Sequence, residues 1–182
     1  MKPIQITYYV HGTTTDNEKG LATGWAHGEL SELGRAQCIE LGEIVKGRNH
    51  EAVFCSDLKR AVDSARLIFG SRTKIIEDRR LRECNYGSLA GAPGRKVDSE
   101  LRRHISEPFP NGESCMDVEA RIRNFLKWLA GQPFGDVAIL AHKAPQLALE
   151  IVLNGKTWQQ AIRDDWRLKE PKEWKAGWVY GL

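Results

Sequence analysis

Two rhythms of apolar residues alternate along this chain. Ile4 to Val10 is almost continuously β-branched and aromatic, the pattern of a strand buried on both faces. Ala52 to Cys55 and Val137 to Leu140 repeat that pattern, Lys74 to Ile76 predicts a third strand, and Trp178 to Tyr180 an edge strand. Between them the apolar positions recur at helical spacing. Leu30, Gly34, Cys38, Leu41 and Val45 follow this rule around Ser31, a residue suited to an N-cap. Leu58, Ala61, Val62, Ala65 and Phe69 form a second stripe, with Ser56-Asp57 as its expected cap. Val118, Ile122, Phe125 and Leu129 follow a capping box of Ser114 and Asp117 and stop at Gly131. Pro145 to Leu153 predicts a helix closed by Gly155, and Thr157 with Gln160 opens another. Strands alternating with helices predict an α/β fold, a three-layer α/β/α sandwich around a mostly parallel sheet.

The stretch from Asp78 to Gly112 breaks both rhythms. It carries three glycines before Lys96 and two prolines after Ser106, and is expected to form an irregular cap with one short helix near Val97 to Ile105. No repeat or linker interrupts the chain, so residues 1–182 read as a single domain with that cap inserted at about 78–112.

Charge narrows the function classes. A net charge of +3, with both signs interspersed, is too small and too scattered for a nucleic-acid footprint. No window approaches the ~20 apolar residues of a membrane span, and the N-terminus reads as a strand, which together suggest a cytoplasmic protein. The four cysteines are widely spaced, without a CxxC pair, so reduced thiols are expected instead of disulfides or a zinc site. No metal and no other cofactor is expected. The oligomeric state is not encoded in any feature of the sequence.

Candidate chemistry gathers where strands end. The first strand delivers His11-Gly12, the second Ser56-Asp57 with Arg60 one turn on, and the Val137–Leu140 strand delivers His142 before a helix. In a parallel sheet these ends point the same way, where α/β folds bind ligands. Free N–H groups at a helix start favour an anion there. Each residue alone is weak evidence, and His27, His50 and His104 read as structural or exposed. The joint placement of His11, Arg60 and His142 carries the argument.

HGTTTDN (His11 to Asn17), LATGW (Leu21 to Trp25), LSELGRAQ, FCSDLKRAVDSA, DRRLRECNYGSLAG and PNGES occur in that order. In order and spacing the chain resembles the histidine phosphatase superfamily, which includes phosphoglycerate mutases and small phosphatases. The resemblance implies that His11 becomes phosphohistidine and that Arg60 and His142 grip the phosphoryl oxygens. It further implies phosphate or substrate contacts from Asn17, Thr14, Thr23 and Gly24, and makes Glu83 the proton donor. Without the resemblance, Glu83 reads as a solvated carboxylate paired with Arg80 or Arg82. The implied partner is a small phosphorylated metabolite.

Two departures complicate this. The family's arginine before the nucleophile is Val10 here, either facing the phosphate or packed in the core. Lys143-Ala144-Pro145 stands where the family has glycines, and Lys143 reads equally as a replacement cation or as a solvated lysine. A phosphatase working through phosphohistidine is the leading expectation. A weakened phosphate-binding or regulatory protein is the alternative, and a mutase-type phosphotransferase the third. Trp25, Tyr86 and the tryptophans of the tail are candidates for an aromatic wall.

Overall fold

The structure is a computed structural model that describes residues 3–170 and 172–182. The fully apolar runs form the sheet. Strand β1 (Gln5–Val10) pairs in parallel with β4 (Asp136–Ala141), β4 with β2 (Ala52–Cys55), and β2 with β3 (Ile75–Glu77). Strand β5 (Trp178–Gly181) joins β1 antiparallel at the edge, giving the order β3-β2-β4-β1-β5.

Side-chain alternation divides each central strand between two cores. Ile6, Tyr8, Phe54, Val137 and Ile139 enter one core, shared with α5 (Cys115–Leu129) and α6 (Lys143–Val152). Tyr9, Val53, Cys55, Ala138 and Leu140 enter the other, covered by α2 (Glu32–Ile44) and α3 (Lys59–Phe69). This is the expected α/β/α sandwich. The remaining helices are α1 (Thr15–Glu18), α4 (Gly94–Glu100) and α7 (Trp158–Arg163).

Several local expectations need correction. Helix α1 interrupts what reads as a loop: it is one turn long and buries nothing, so no apolar stripe announces it. Ser56-Asp57 does not cap α3, whose N-cap is Leu58 without a side-chain bond. The Ser56 hydroxyl instead accepts from the Leu58 N–H, and Asp57 forms a bidentate pair with Arg82. Helix α6 starts at Lys143, two residues before the expected Pro145, because proline lacks only an N–H that the first turn does not use. Ser31, Ser114 and Thr157 cap their helices as expected. The four cysteines are buried free thiols.

The 78–112 segment is a chain of short turns around α4, and its backbone is tied to the loop after β1. Ala22 N–H donates to Ala92 O, Gly91 N–H to Ala22 O, and Gly94 N–H to Gly20 O. Residues of both segments, among them Thr23 and Tyr86, line one cavity with His11 and His142, which follow the carboxyl ends of β1 and β4.

Candidate active site

A cavity of about 750 Å³ opens at those strand ends, and His11, Asn17, Thr23, Gly24, Arg60, Glu83, His142 and Lys143 line it. Strand pairing fixes its floor: Val10 lies opposite Ala141 in β4, so His11 and His142 leave adjacent strands side by side. Their ring centroids are 5.0 Å apart. Helix α2 packs directly beneath, since a Cβ on Gly12 would meet Gly34 O at 2.5 Å. From α3, the Ser64 hydroxyl accepts from Gly12 N–H at 3.0 Å.

One contact sets the tautomer of His11. Its Nδ1 lies 2.7 Å from Gly12 O, and a carbonyl only accepts, so Nδ1 carries the proton. Nε2 then keeps its lone pair. Burial and the nearby Arg60 guanidinium pull His11 down to about 3, so the ring is neutral at pH 7. His142 is held well below its ordinary value by burial, Arg60 and His11, and both of its ring nitrogens are buried without a hydrogen-bond partner. The Tyr8 hydroxyl anchors this residue by donating to His142 O at 2.6 Å.

These depressed values have a consequence for stability. Unfolded, His11 titrates near 6.5; folded, it titrates near about 3, so between those values the unfolded chain binds more protons. Stability is therefore lost as pH falls through this window, by up to about 2 kcal/mol at pH 5 from His11, with His142 adding in the same direction. Urea midpoints should fall between pH 7 and pH 5, and His11→Gln should narrow that gap; an unchanged gap would place the acid sensitivity elsewhere.

Arg60 is only 3% exposed and enters from α3. Its guanidinium donates to Gly24 O at 2.7 Å and Ala26 O at 3.3 Å, and among the described residues it has no carboxylate partner. Glu83 and Asp16 act on its charge from a distance, and it lines the cavity.

Glu83 is 8% exposed, not solvated, and neither arginine expected to pair with it does so: Arg80 binds Asp78 and Arg82 binds Asp57. Its Oε1 accepts from Cys84 N–H and Ala144 N–H, both at 2.9 Å, and its Oε2 from Lys143 N–H at 3.1 Å. Because Pro145 has no N–H, the two free amides that open α6 both go to this carboxyl. Trp25 Nε1 and Arg121 Nη2 hold the Glu83 carbonyl at 2.6 and 2.9 Å. Trp25 therefore positions Glu83 instead of lining the cavity, whose aromatic wall is Tyr86, Trp166 and Trp174. The positioning role of Arg121 has no local sequence signal.

The remaining candidates divide. Thr14 does not line the cavity: it is fully buried and caps α1, accepting from Asn17 N–H, while Asn17 Oδ1 accepts from Thr14 N–H. Asn17 keeps its amide N–H groups available. Thr23 donates its hydroxyl to Asp16, and Gly24, at φ +57°, presents its carbonyl to Arg60. Lys143 is engaged by Asp98 at 2.8 Å and Asp165 at 3.5 Å, so its ammonium does not stand free as a replacement cation. Val10 packs against the larger core and also lines the cavity. His50 and His104 are buried, bonded within the core, and His27 is exposed.

The model of the histidine phosphatase superfamily (branch 1) matches residues 9–168. The chain is 30% identical over 171 residues to glucosyl-3-phosphoglycerate phosphatase of Mycobacterium tuberculosis, covering 84% of this chain and 76% of that one. It is 32% identical over 167 residues to the 2,3-bisphosphoglycerate-dependent phosphoglycerate mutase of Methylorubrum populi, covering 81% and 77%. The solved mycobacterial glucosyl-3-phosphoglycerate phosphatase superposes with a TM-score of 0.75 at 27% identity, covering 89% of this chain and 84% of that one.

Proposed function

Because the chain belongs to the histidine phosphatase superfamily, we propose that it hydrolyses a small phosphomonoester through a phosphohistidine on His11. The observation that carries this reading is the His11 tautomer, with Nδ1 engaged by Gly12 O and a neutral Nε2 left as nucleophile.

In the first step Nε2 forms a bond to phosphorus while the ester P–O bond breaks, and the leaving oxygen takes a proton from Glu83. The phosphorylated ring, which keeps its Nδ1 proton, is a cation balanced by the phosphoryl oxygens, and Arg60 meets the remaining negative charge on those oxygens. Oε1 of Glu83 accepts two N–H bonds and Oε2 only one, so Oε2 keeps the lone pair that carries the transferable proton. In the second step Glu83 removes a proton from water, the water oxygen bonds to phosphorus, and the P–N bond breaks to release phosphate. His142, with two orphaned ring nitrogens, is the second donor to the phosphoryl oxygens. Asn17 adds an amide donor from α1.

The 78–112 segment acts as a cap in this reading, and the cavity's size suits a small phosphorylated metabolite. Among the described residues no helix is long and apolar enough to cross a membrane. A second reading, retention of a phosphorylated ligand with little turnover, is favoured by Val10, an apolar side chain on the cavity wall. Incubation with a panel of phosphorylated metabolites, scoring both released phosphate and acid-labile protein-bound phosphate, separates the two. Turnover should be unaffected by chelator, since Arg60 and the imidazoles meet the phosphate charge; loss restored by Mg²⁺ or Zn²⁺ would contradict this mechanism.

A further inference from the structure

A phosphoryl group in flight spreads negative charge over three oxygens, and Arg60 meets it from one direction only. Arg60 rises from α3, whose Ala61 and Ala65 belong to the core on one face of the sheet. The wall on the opposite face is Val10, an apolar residue. That same wall carries Arg167, from the 3-10 turn Trp166–Leu168, which lines the cavity with His11 and His142.

Arg167 is built into place. Its Nη1 donates to Asp165 Oδ1 at 2.9 Å and its Nη2 to Gln146 Oε1 at 2.8 Å. Both partners are buried, and Gln146 sits one turn into α6 after His142. The guanidinium lies 4.6 Å from the Trp166 ring centroid, and Trp166 stacks on Trp178 of β5, the strand that pairs with β1. A guanidinium has five N–H groups, and these contacts engage two. Asp165 is shared with Lys143, so it does not neutralise Arg167 in full. The charge of Arg167 also contributes to keeping both His11 and His142 neutral.

We propose that Arg167 supplies the second guanidinium of the phosphate pocket, facing His11 and His142 from the side of the sheet opposite Arg60. It takes over the task that the family resemblance assigns to an arginine at position 10. The inference rests on the phosphatase reading for its catalytic meaning, but the anion site itself does not require turnover.

Orthovanadate binding tests it without chemistry. Arg167→Met should weaken the vanadate Kd by about tenfold or more, and Arg167→Lys, a charge without the fork, should fall between this and the parent. The combination Val10→Arg with Arg167→Met should recover much of the lost affinity, since an arginine from either point on this wall reaches the same anion. A structural role predicts a different result: a lowered Tm, no graded effect of lysine and no recovery in the double variant. Arg167→Met and Arg167→Lys variants that fold and bind vanadate like the parent would overturn the proposal. Phosphohistidine trapping on the parent separates this failure from that of the parent reading. Normal trapping with unaltered vanadate binding in Arg167→Met sinks only the arginine assignment. Absent trapping with Arg167-dependent vanadate binding sinks only the phosphatase reading, and a parent that binds no vanadate sinks both.

Discussion

Replacing His11 with alanine should reduce turnover to background, a loss of at least about 10³-fold, and abolish acid-labile phosphate on the protein. The loss is so large because, among the described residues, His142 is the one other imidazole lining the cavity, and it is 1% exposed with its backbone tied to Tyr8. The substitution is also a clean one. His11 makes a single side-chain hydrogen bond, to its neighbour's carbonyl, so its removal leaves the Arg60 and Glu83 contacts standing. Arg60 is a poorer probe, because truncating it would also release the carbonyls of Gly24 and Ala26. Low-temperature quenching followed by peptide mass spectrometry should place phosphate on the His11 peptide of the parent. Turnover surviving His11→Ala undiminished would end the covalent mechanism, whatever the fold.

How legible all this is in the sequence depends on whether a residue acts through neighbours in the chain or across it. The strands are legible because burial on both faces leaves an uninterrupted apolar run, and β1, β2 and β4 fall where such runs stand. From their order comes the meeting of His11, Arg60 and His142. The helix caps at Ser31, Ser114 and Thr157 are local devices of three or four residues, and they are legible too. Asp57 misleads as a cap because its partner, Arg82, lies 25 positions away. Thr14 resembles a ligand-binding hydroxyl until a four-residue helix claims it. Lys143 is the subtlest case. Its side chain attracts attention in the sequence, yet its backbone N–H is what meets Glu83, and the ammonium is held by Asp98 and Asp165. Arg167 has no periodicity and no motif around it. Its bond to Gln146, 21 positions upstream, is what ties it to α6.

Glu83→Gln should divide substrates by their leaving group. In the proposed mechanism the carboxyl has two tasks: donating a proton to the departing oxygen and later removing one from water. Glutamine can do neither, though it fits the same space. Its carbonyl oxygen can still accept from Cys84 N–H and Ala144 N–H in place of Oε1, while its NH₂ would face the Lys143 N–H donor in place of Oε2, so one hydrogen bond is lost and two remain. Vanadate affinity and Tm should therefore change little. With an alkyl phosphate, whose leaving oxygen needs the proton, phosphoenzyme formation itself should slow by about 10²–10⁴-fold. With 4-nitrophenyl phosphate the leaving group departs without a proton, so His11 should still be phosphorylated quickly. Water attack then stalls, and the variant should show a burst of one nitrophenolate per active site followed by a slow steady rate, with phosphohistidine accumulating. Equal slowing of the alkyl and aryl substrates, without a burst, would show that Glu83 organises the start of α6 instead of moving protons. The three amide bonds it accepts would then be its whole contribution.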